Sequence, residues 1–238
     1  MANLIPISFD SLLGYSSTAN VESQLGGASN DPSINSRITN IGKRLSAKTE
    51  NRSLPYQFKA LNTNKINAFA LPGGPTYVTV GLLNGLNPTD DELAAVMGHE
   101  LGHINNRHGV KAMELSLGAG FITDLVKSQL KKSEGLNLDA NDVNRIDKYN
   151  KAVAGFVSMG YSRDNEYEAD AAGLNYMTAA GYNPYAMVSL MTKLQALEGR
   201  KTTNLEEFFS THPATTKRID EINGIIASTY PAAKPLVA

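Results

Sequence analysis

The run Val96-Met97-Gly98-His99-Glu100-Leu101-Gly102-His103 sets two histidines four residues apart in an apolar helical pattern. On an α-helix that spacing puts both imidazoles on one face, about one turn apart, where they can hold a single metal ion. Glu100 projects beside them, placed to take a proton from water on the metal. A chain carrying this run must bring a further protein group to that face, because a catalytic zinc site takes three protein ligands and keeps a fourth position for water. Gly98 and Gly102 each cost about 1 kcal/mol against alanine in a helix, which predicts that another backbone or a ligand approaches closely here. The plainer alternative is an amphipathic helix that happens to carry these residues. With only four His in the chain, such chance placement is rare.

Composition narrows the possibilities. A chain of 238 residues, 42% of them hydrophobic, can bury one substantial core. The 22 basic and 23 acidic residues nearly cancel and no Lys/Arg block occurs, so neither nucleic acid nor an anionic membrane is an expected partner. Zero Cys leaves histidine and carboxylate as the zinc donors. Residues 1–13 lack a basic n-region and are interrupted by Pro6 and Asp10, so they do not read as a signal peptide, although an export signal removed earlier stays open. The uncharged stretches 66–89 and 171–192 are broken by Leu71-Pro72-Gly73-Gly74-Pro75 and by Gly181 and Asn183-Pro184, and so do not read as membrane spans. The expectation is a soluble protein with no transmembrane segment.

Along the chain, residues 1–30 are expected to be a mobile lead-in, rich in Ser, Gly, Asn and Ala from 14 onward. Asp31-Pro32 opens a helix with an apolar stripe of Ile34, Ile38, Ile41 and Leu45. Alternation at Tyr56, Phe58 and Ala60, then strand candidates at 66–71 and 76–82 around Pro72-Gly73-Gly74-Pro75, predict a small antiparallel sheet. Thr89 and Glu92 form a capping box that opens the HExxH helix, expected to reach about Arg107. The fold class is α+β, mainly helical, with the sheet packed beside that helix. Residues 31–230 form one domain, followed by a Pro- and Ala-rich disordered tail at 231–238.

Through Ile66-Asn67-Ala68-Phe69-Ala70-Leu71-Pro72-Gly73-Gly74 and the HExxH helix, the chain resembles the zinc peptidases that include the membrane CAAX prenyl proteases and HtpX-like heat-shock proteases. It is most similar to their soluble, cell-envelope minigluzincin branch. The resemblance implies a zincin domain with one Zn2+ per chain, an extended or unfolded polypeptide as substrate, and a place in the cell envelope or periplasm. It also implies that Asn67, Ala68 and Phe69 border the cleft and contact substrate. An edge strand offers free N–H and C=O groups to such a chain, though the same pattern suits a core strand carrying an asparagine.

For the third ligand, the spacing HExxHxxGxxH fails: Asn106 stands where it needs glycine, Gly109 where it needs histidine, and His108 is one residue off. His108 falls near the helix end, where a cation suits the dipole, and a direct metal role for it is left open. The better candidate lies in Tyr161-Ser162-Arg163-Asp164-Asn165-Glu166-Tyr167-Glu168-Ala169-Asp170. Glu166 and Asp170 share one helix face while Glu168 faces elsewhere. Glu166 can ligate zinc, and Asp170 can accept the second N–H of a ligand histidine, His99, fixing its tautomer. In the family resembled, the first Glu of an ExxAD pattern is the third ligand, and the match extends to Ser162-Arg163. Without the HExxH helix, a solvated acidic face would be the natural reading.

Residues 109–160 hold a transmembrane hairpin in the membrane members of that family. Here 115–123 is flanked by Glu114 and Asp124 and cannot span a bilayer. Two helices, 110–132 and 141–159, are predicted instead. Further on, helices are expected to 180, over 184–198, over 205–210 after a loop at 199–204, and over 214–227. Pro213 at a first helical position would make His212 the cap. His212 then has three readings: oxyanion stabiliser, occupant of zinc's open position in a resting form, or plain cap. A His-Pro with a downstream Arg recurs near the cleft in the family, and Arg218 matches that Arg. Arg218 could equally pair with Asp170 or Glu168.

The expected activity is a zinc metalloendopeptidase with His99, His103 and Glu166 on the metal and Glu100 as general base, serving protein quality control. The rival is a chaperone or assembly factor with a latent or structural zinc site. Hydrolysis of a non-peptide amide is a third possibility, which the edge strand disfavours.

Overall fold

Local signals set the elements in chain order. The computed structural model describes residues 6–157, 160–198, 211–212 and 215–235. A short 3-10 turn (Ile7–Phe9) leads into α1 (Asp10–Tyr15) and α2 (Thr18–Gln24). Asp31 accepts from the N–H groups of Ser33 and Ile34, and Pro32 opens α3 (Pro32–Ser46), whose Ile38, Ile41 and Leu45 are buried as the stripe requires. Strands β1 (Gln57–Leu61), β2 (Ala68–Ala70) and β3 (Pro75–Thr79) follow, then α4 (Val80–Leu86). The HExxH helix is α5 (Asp90–Asn105), and Thr89 and Glu92 make the capping box at its start. Next come α6 (His108–Leu117), α7 (Ala119–Ser133), α8 (Ala140–Val157), α9 (Arg163–Ala179), α10 (Tyr185–Glu198) and α11 (Thr216–Thr229).

The sheet is mixed, which corrects the expected antiparallel one. Its order is β1-β3-β2, with β1 parallel to β3 and β2 antiparallel to it. The Pro72-Gly73-Gly74 turn does make the β2–β3 hairpin. The link after β1, however, carries β2 past the place where β3 inserts, and Thr79 ties that link down by donating to the Lys65 carbonyl oxygen. Thr79 also ends β3 early. Its side chain accepts from the Leu82 N–H and starts α4 where strand was expected. Every residue of β3 is buried, Tyr77 in one core and Val78 in the other, because helices cover both sheet faces.

The first core joins α3, α5, α9, α10 and α11 to one face of the sheet. The second joins α1, α2, α7 and α8 to the other, through Leu13, Val21, Leu125, Ile146 and Tyr149. The segment expected as a mobile lead-in is therefore folded: Leu13 is fully buried, and Asp10 pairs with Arg107 through two hydrogen bonds of 2.7 and 2.8 Å. Residues 27–29 also line the outer side of β1, where Ala28 bridges Leu61. The helix expected over 110–132 divides at Gly118, whose φ of +85° starts α7 afresh. In the tail, Asn183 Nδ2 donates to the Lys234 carbonyl oxygen, while 236–238 lie outside the described residues. The expected loop at 199–204 and helix at 205–210 lie outside them too.

Close approach of another backbone, anticipated from Gly98 and Gly102, occurs between α5 and α9. A Cβ on Gly102 would lie 2.6 Å from the Ala169 carbonyl oxygen, one on Gly98 3.1 Å from that of Gly173, and one on Gly173 2.8 Å from the His99 nitrogen. Gly173→Ala should therefore lower stability by about 1–3 kcal/mol through overpacking, despite a helix-propensity gain of about 1 kcal/mol. Urea unfolding of the metal-free protein measures this; a variant as stable as the parent would show that the two backbones are not in contact.

Candidate active site

Because α5 and α9 touch, side chains from both meet in a small buried volume. His99, Glu100 and His103 come from α5 and Glu166 and Asp170 from α9, and all five are buried. His99 Nε2 lies 3.0 Å from His103 Nε2, while the Glu166 carboxylate reaches to 3.3 Å of His103 Nε2 and 3.5 Å of His99 Nε2. His212 enters from beyond α10, its Nδ1 3.3 Å from both His99 Nε2 and Glu166 Oε1. One ligand atom from each of His99, His103, Glu166 and His212 falls within 4.8 Å of all the others. Two or three imidazole nitrogens and a carboxylate, dry and without thiolate, are a donor set that suits zinc.

The electrostatics favour a cation at this spot. Burial alone would lower the His99 pKa, but the Glu166 and Asp170 carboxylates outweigh it and push it up to about 10. His103 goes the other way, driven well below its ordinary value by burial, with the Glu166 hydrogen bond opposing and the His99 charge adding. A proton on His99 thus donates to the bare nitrogen of His103, and a metal ion would take that proton's place. Burial raises Glu166, yet His99, His212 and His103 hold it far below the usual carboxylate range. Glu100 stays raised, burial being the largest cause, and its Oε1 is 3.6 Å from His212 Nε2. A raised carboxylate is the better proton acceptor near neutral pH.

Asp170 stands where its spacing put it, accepting from His99 Nδ1 at 2.8 Å. Arg218 on α11 resolves its open pairing: it makes two 2.7 Å bonds to Asp170 and a 2.8 Å contact to Glu166 Oε2, not a bond to Glu168. Burial would raise Asp170, but His99 and Arg218 hold it below its ordinary value. His212 is not the helix cap. The cap of α11 is Thr215, whose hydroxyl accepts from the Arg218 N–H.

Asn67, Ala68 and Phe69 are all buried, the latter two opening β2, which is an outer strand of the sheet and packs against α5. Asn67 Oδ1 is buried with no hydrogen-bond partner among the described residues. The end of β2 lines a cleft with His103 and Tyr161. A second pocket, bordered by His99, Glu100 and His212, is walled by Val96, Met187, Leu190, Met191 and Leu194. Sequence reasoning missed Tyr161, which stacks on His103 with ring centroids 4.2 Å apart. It also missed the partner of His108, whose Nδ1 lies 2.8 Å from His103 Nδ1.

Comparison with known proteins meets this geometry from the other direction. The model of peptidase family M48 matches residues 32–226, which include every residue of the cluster. The chain belongs to peptidase family M48. Relatives include the metalloprotease YcaL of Escherichia coli, 30% identical over 206 residues, which are 82% of this chain and 74% of that one. The beta-barrel assembly-enhancing protease of the same organism is 27% identical over 202 residues, 80% of this chain but 38% of that protein. The mitochondrial metalloendopeptidase OMA1 of Arabidopsis thaliana is 33% identical over 165 residues, 69% of this chain and 30% of its own length. The chain thus spans about two fifths or less of several relatives. M48 peptidases are zinc enzymes, and the His99, His103, Glu166 and His212 cluster could hold one such ion, in keeping with the expected metal. No helix among the described residues is long and apolar enough to cross a membrane.

Arg218 is the cation that keeps two buried carboxylates in place. Arg218→Met should lower the stability of the metal-free protein by about 3–5 kcal/mol, since Glu166 and Asp170 would remain buried without it. A loss under about 1 kcal/mol in urea unfolding would refute that role.

Proposed function

We propose that the chain is a zinc-dependent metalloendopeptidase that cleaves extended polypeptide, with His99, His103 and Glu166 as metal ligands and Glu100 as general base. The observation that carries this reading is the convergence of two imidazole nitrogens and one carboxylate from two touching helices, with a second carboxylate beside them. Bound there, zinc would supply Lewis-acid polarisation of a peptide carbonyl and acidify water. Glu100 takes the proton from the attacking water and later gives it to the departing amine. Asp170 holds His99 in the tautomer whose Nε2 is free for the metal, and Arg218 holds Asp170.

The substrate backbone adds to the open edge of β2. Because the side chains of Ala68 and Phe69 point into the protein, they act through the backbone of their strand, and Asn67 offers an unsatisfied acceptor beside it. The pocket walled by Met187, Leu190 and Met191 suits an apolar substrate side chain. Relatives named for beta-barrel assembly support a role in protein quality control in the cell envelope.

The place of His212 favours a second reading of the resting state. Its Nδ1 lies among the ligand atoms, so it can fill the fourth position and leave the site latent, as in a factor that holds unfolded chain without cutting it. The two readings separate in one assay of zinc content and casein cleavage. Native protein should bind one zinc and lose cleavage to a chelator. Glu100→Gln should keep the zinc and lose about 10²–10⁴-fold in rate, and retained cleavage would remove Glu100 from the base role. His212→Ala should cleave faster than native if His212 restrains the site. Zinc in all three with cleavage by none would favour the holding factor.

A further inference from the structure

We infer that His108 and Glu168 are positioning residues for His103, linked to it in a hydrogen-bonded chain that sets which ring nitrogen His103 presents to the metal; this rests on the zinc-site reading above. His99 has a carboxylate directly behind it, Asp170 at 2.8 Å from its Nδ1. His103 has none there. Its Nδ1 lies 2.8 Å from His108 Nδ1, and His108 Nε2 lies 3.0 Å from Glu168 Oε2. Only one arrangement of protons serves a metal. His103 Nε2 faces Glu166 and must keep its lone pair, so its proton sits on Nδ1 and donates to His108 Nδ1. His108 then carries its proton on Nε2 and donates it to the Glu168 carboxylate. Each link fixes the next, as a carboxylate does directly for other metal-binding histidines.

The fold spends two unusual features on placing His108. Arg107 adopts a left-handed conformation, φ +57°, which a non-glycine residue enters at a cost. It is held there by its paired hydrogen bonds to Asp10. That corner ends α5 and brings His108, the first residue of α6, back to the edge of the His103 ring. His108 is completely buried, yet among the described residues its two ring nitrogens meet only His103 and Glu168 in hydrogen bonds. Tyr161 stacks on the face of His103, so the ring is held in its plane by one neighbour and turned by the other. Three of the four carboxylates of α9 thereby divide the work: Glu166 faces the ion, Asp170 backs His99, and Glu168 backs His103 through one intervening ring.

The test measures zinc affinity by competition with a chromophoric chelator, alongside thermal unfolding of the metal-free proteins. His108→Leu should weaken zinc binding by about 10–100-fold, the usual cost of losing such a partner. His108→Asn, whose side-chain oxygen can stand where Nδ1 stood and accept from His103, should recover most of that loss. Glu168→Ala is the control for folding, since its side chain is 57% exposed; it should unfold at the native temperature and still bind zinc several-fold more weakly, at the lower end of about tenfold. Native affinity in His108→Leu, or a loss in His108→Asn as deep as in His108→Leu, overturns the inference. Native affinity in Glu168→Ala removes the carboxylate from the chain. Failure of the native protein to bind zinc at all would instead overturn the parent reading.

Discussion

Everything at the site depends on two helix backbones coming within van der Waals contact. Where α5 crosses α9 there is no room for a side-chain carbon at Gly102 or Gly173. At ordinary helix spacing of roughly 8–10 Å, a carboxylate on one helix and an imidazole on the other would each spend their length crossing the gap. Here the gap is gone, and the lengths of His99, His103 and Glu166 go into meeting one another. The sheet, α3 and α10 pack around this crossing and exclude water from it. The helix-propensity cost of the glycines is repaid in geometry rather than in local stability.

A second constraint follows from dryness. Glu100, Glu166 and Asp170 are all buried, and a buried carboxylate without compensation is expensive. Arg218 and the imidazoles answer most of that demand, and they answer it unevenly. Asp170 and Glu166 are held as anions by close partners, whereas Glu100 keeps an enhanced hold on a proton. Two carboxylates of similar chemistry, one held as an anion and one with a firmer hold on a proton, are what a site needs to bind a cation and move a proton in the same few ångströms.

Much of this was legible from spacing within single helices. His99, Glu100 and His103, the facing of Glu166 and Asp170, the capping box at Thr89 and the stripe of α3 all rest on residues three or four apart, which helix geometry places unambiguously. What stayed hidden depends on distant parts of the chain. Parallel pairing of β1 with β3 depends on the path of a link, not on alternation. The folded N-terminal segment has a Ser- and Gly-rich composition typical of linkers, and its Leu13 and Asp10 gain meaning only against Tyr149 and Arg107. His108 looked like a helix-end residue because nothing local announces that Arg107 turns back. At His212, the signal of Pro213 competed with that of Thr215, and the hydroxyl cap prevailed.

The covered flank of β1 has a consequence for how this protein behaves in company. Residues 27–29 cover the end of β1 at Ala60 to Asn62, which shortens the free edge on that side of the sheet. Growth of a sheet into a fibre needs two receptive edges on every copy. A short edge that is partly covered, like that of β1, is a poor second template, so strand pairing at β2 passes less readily to the next copy.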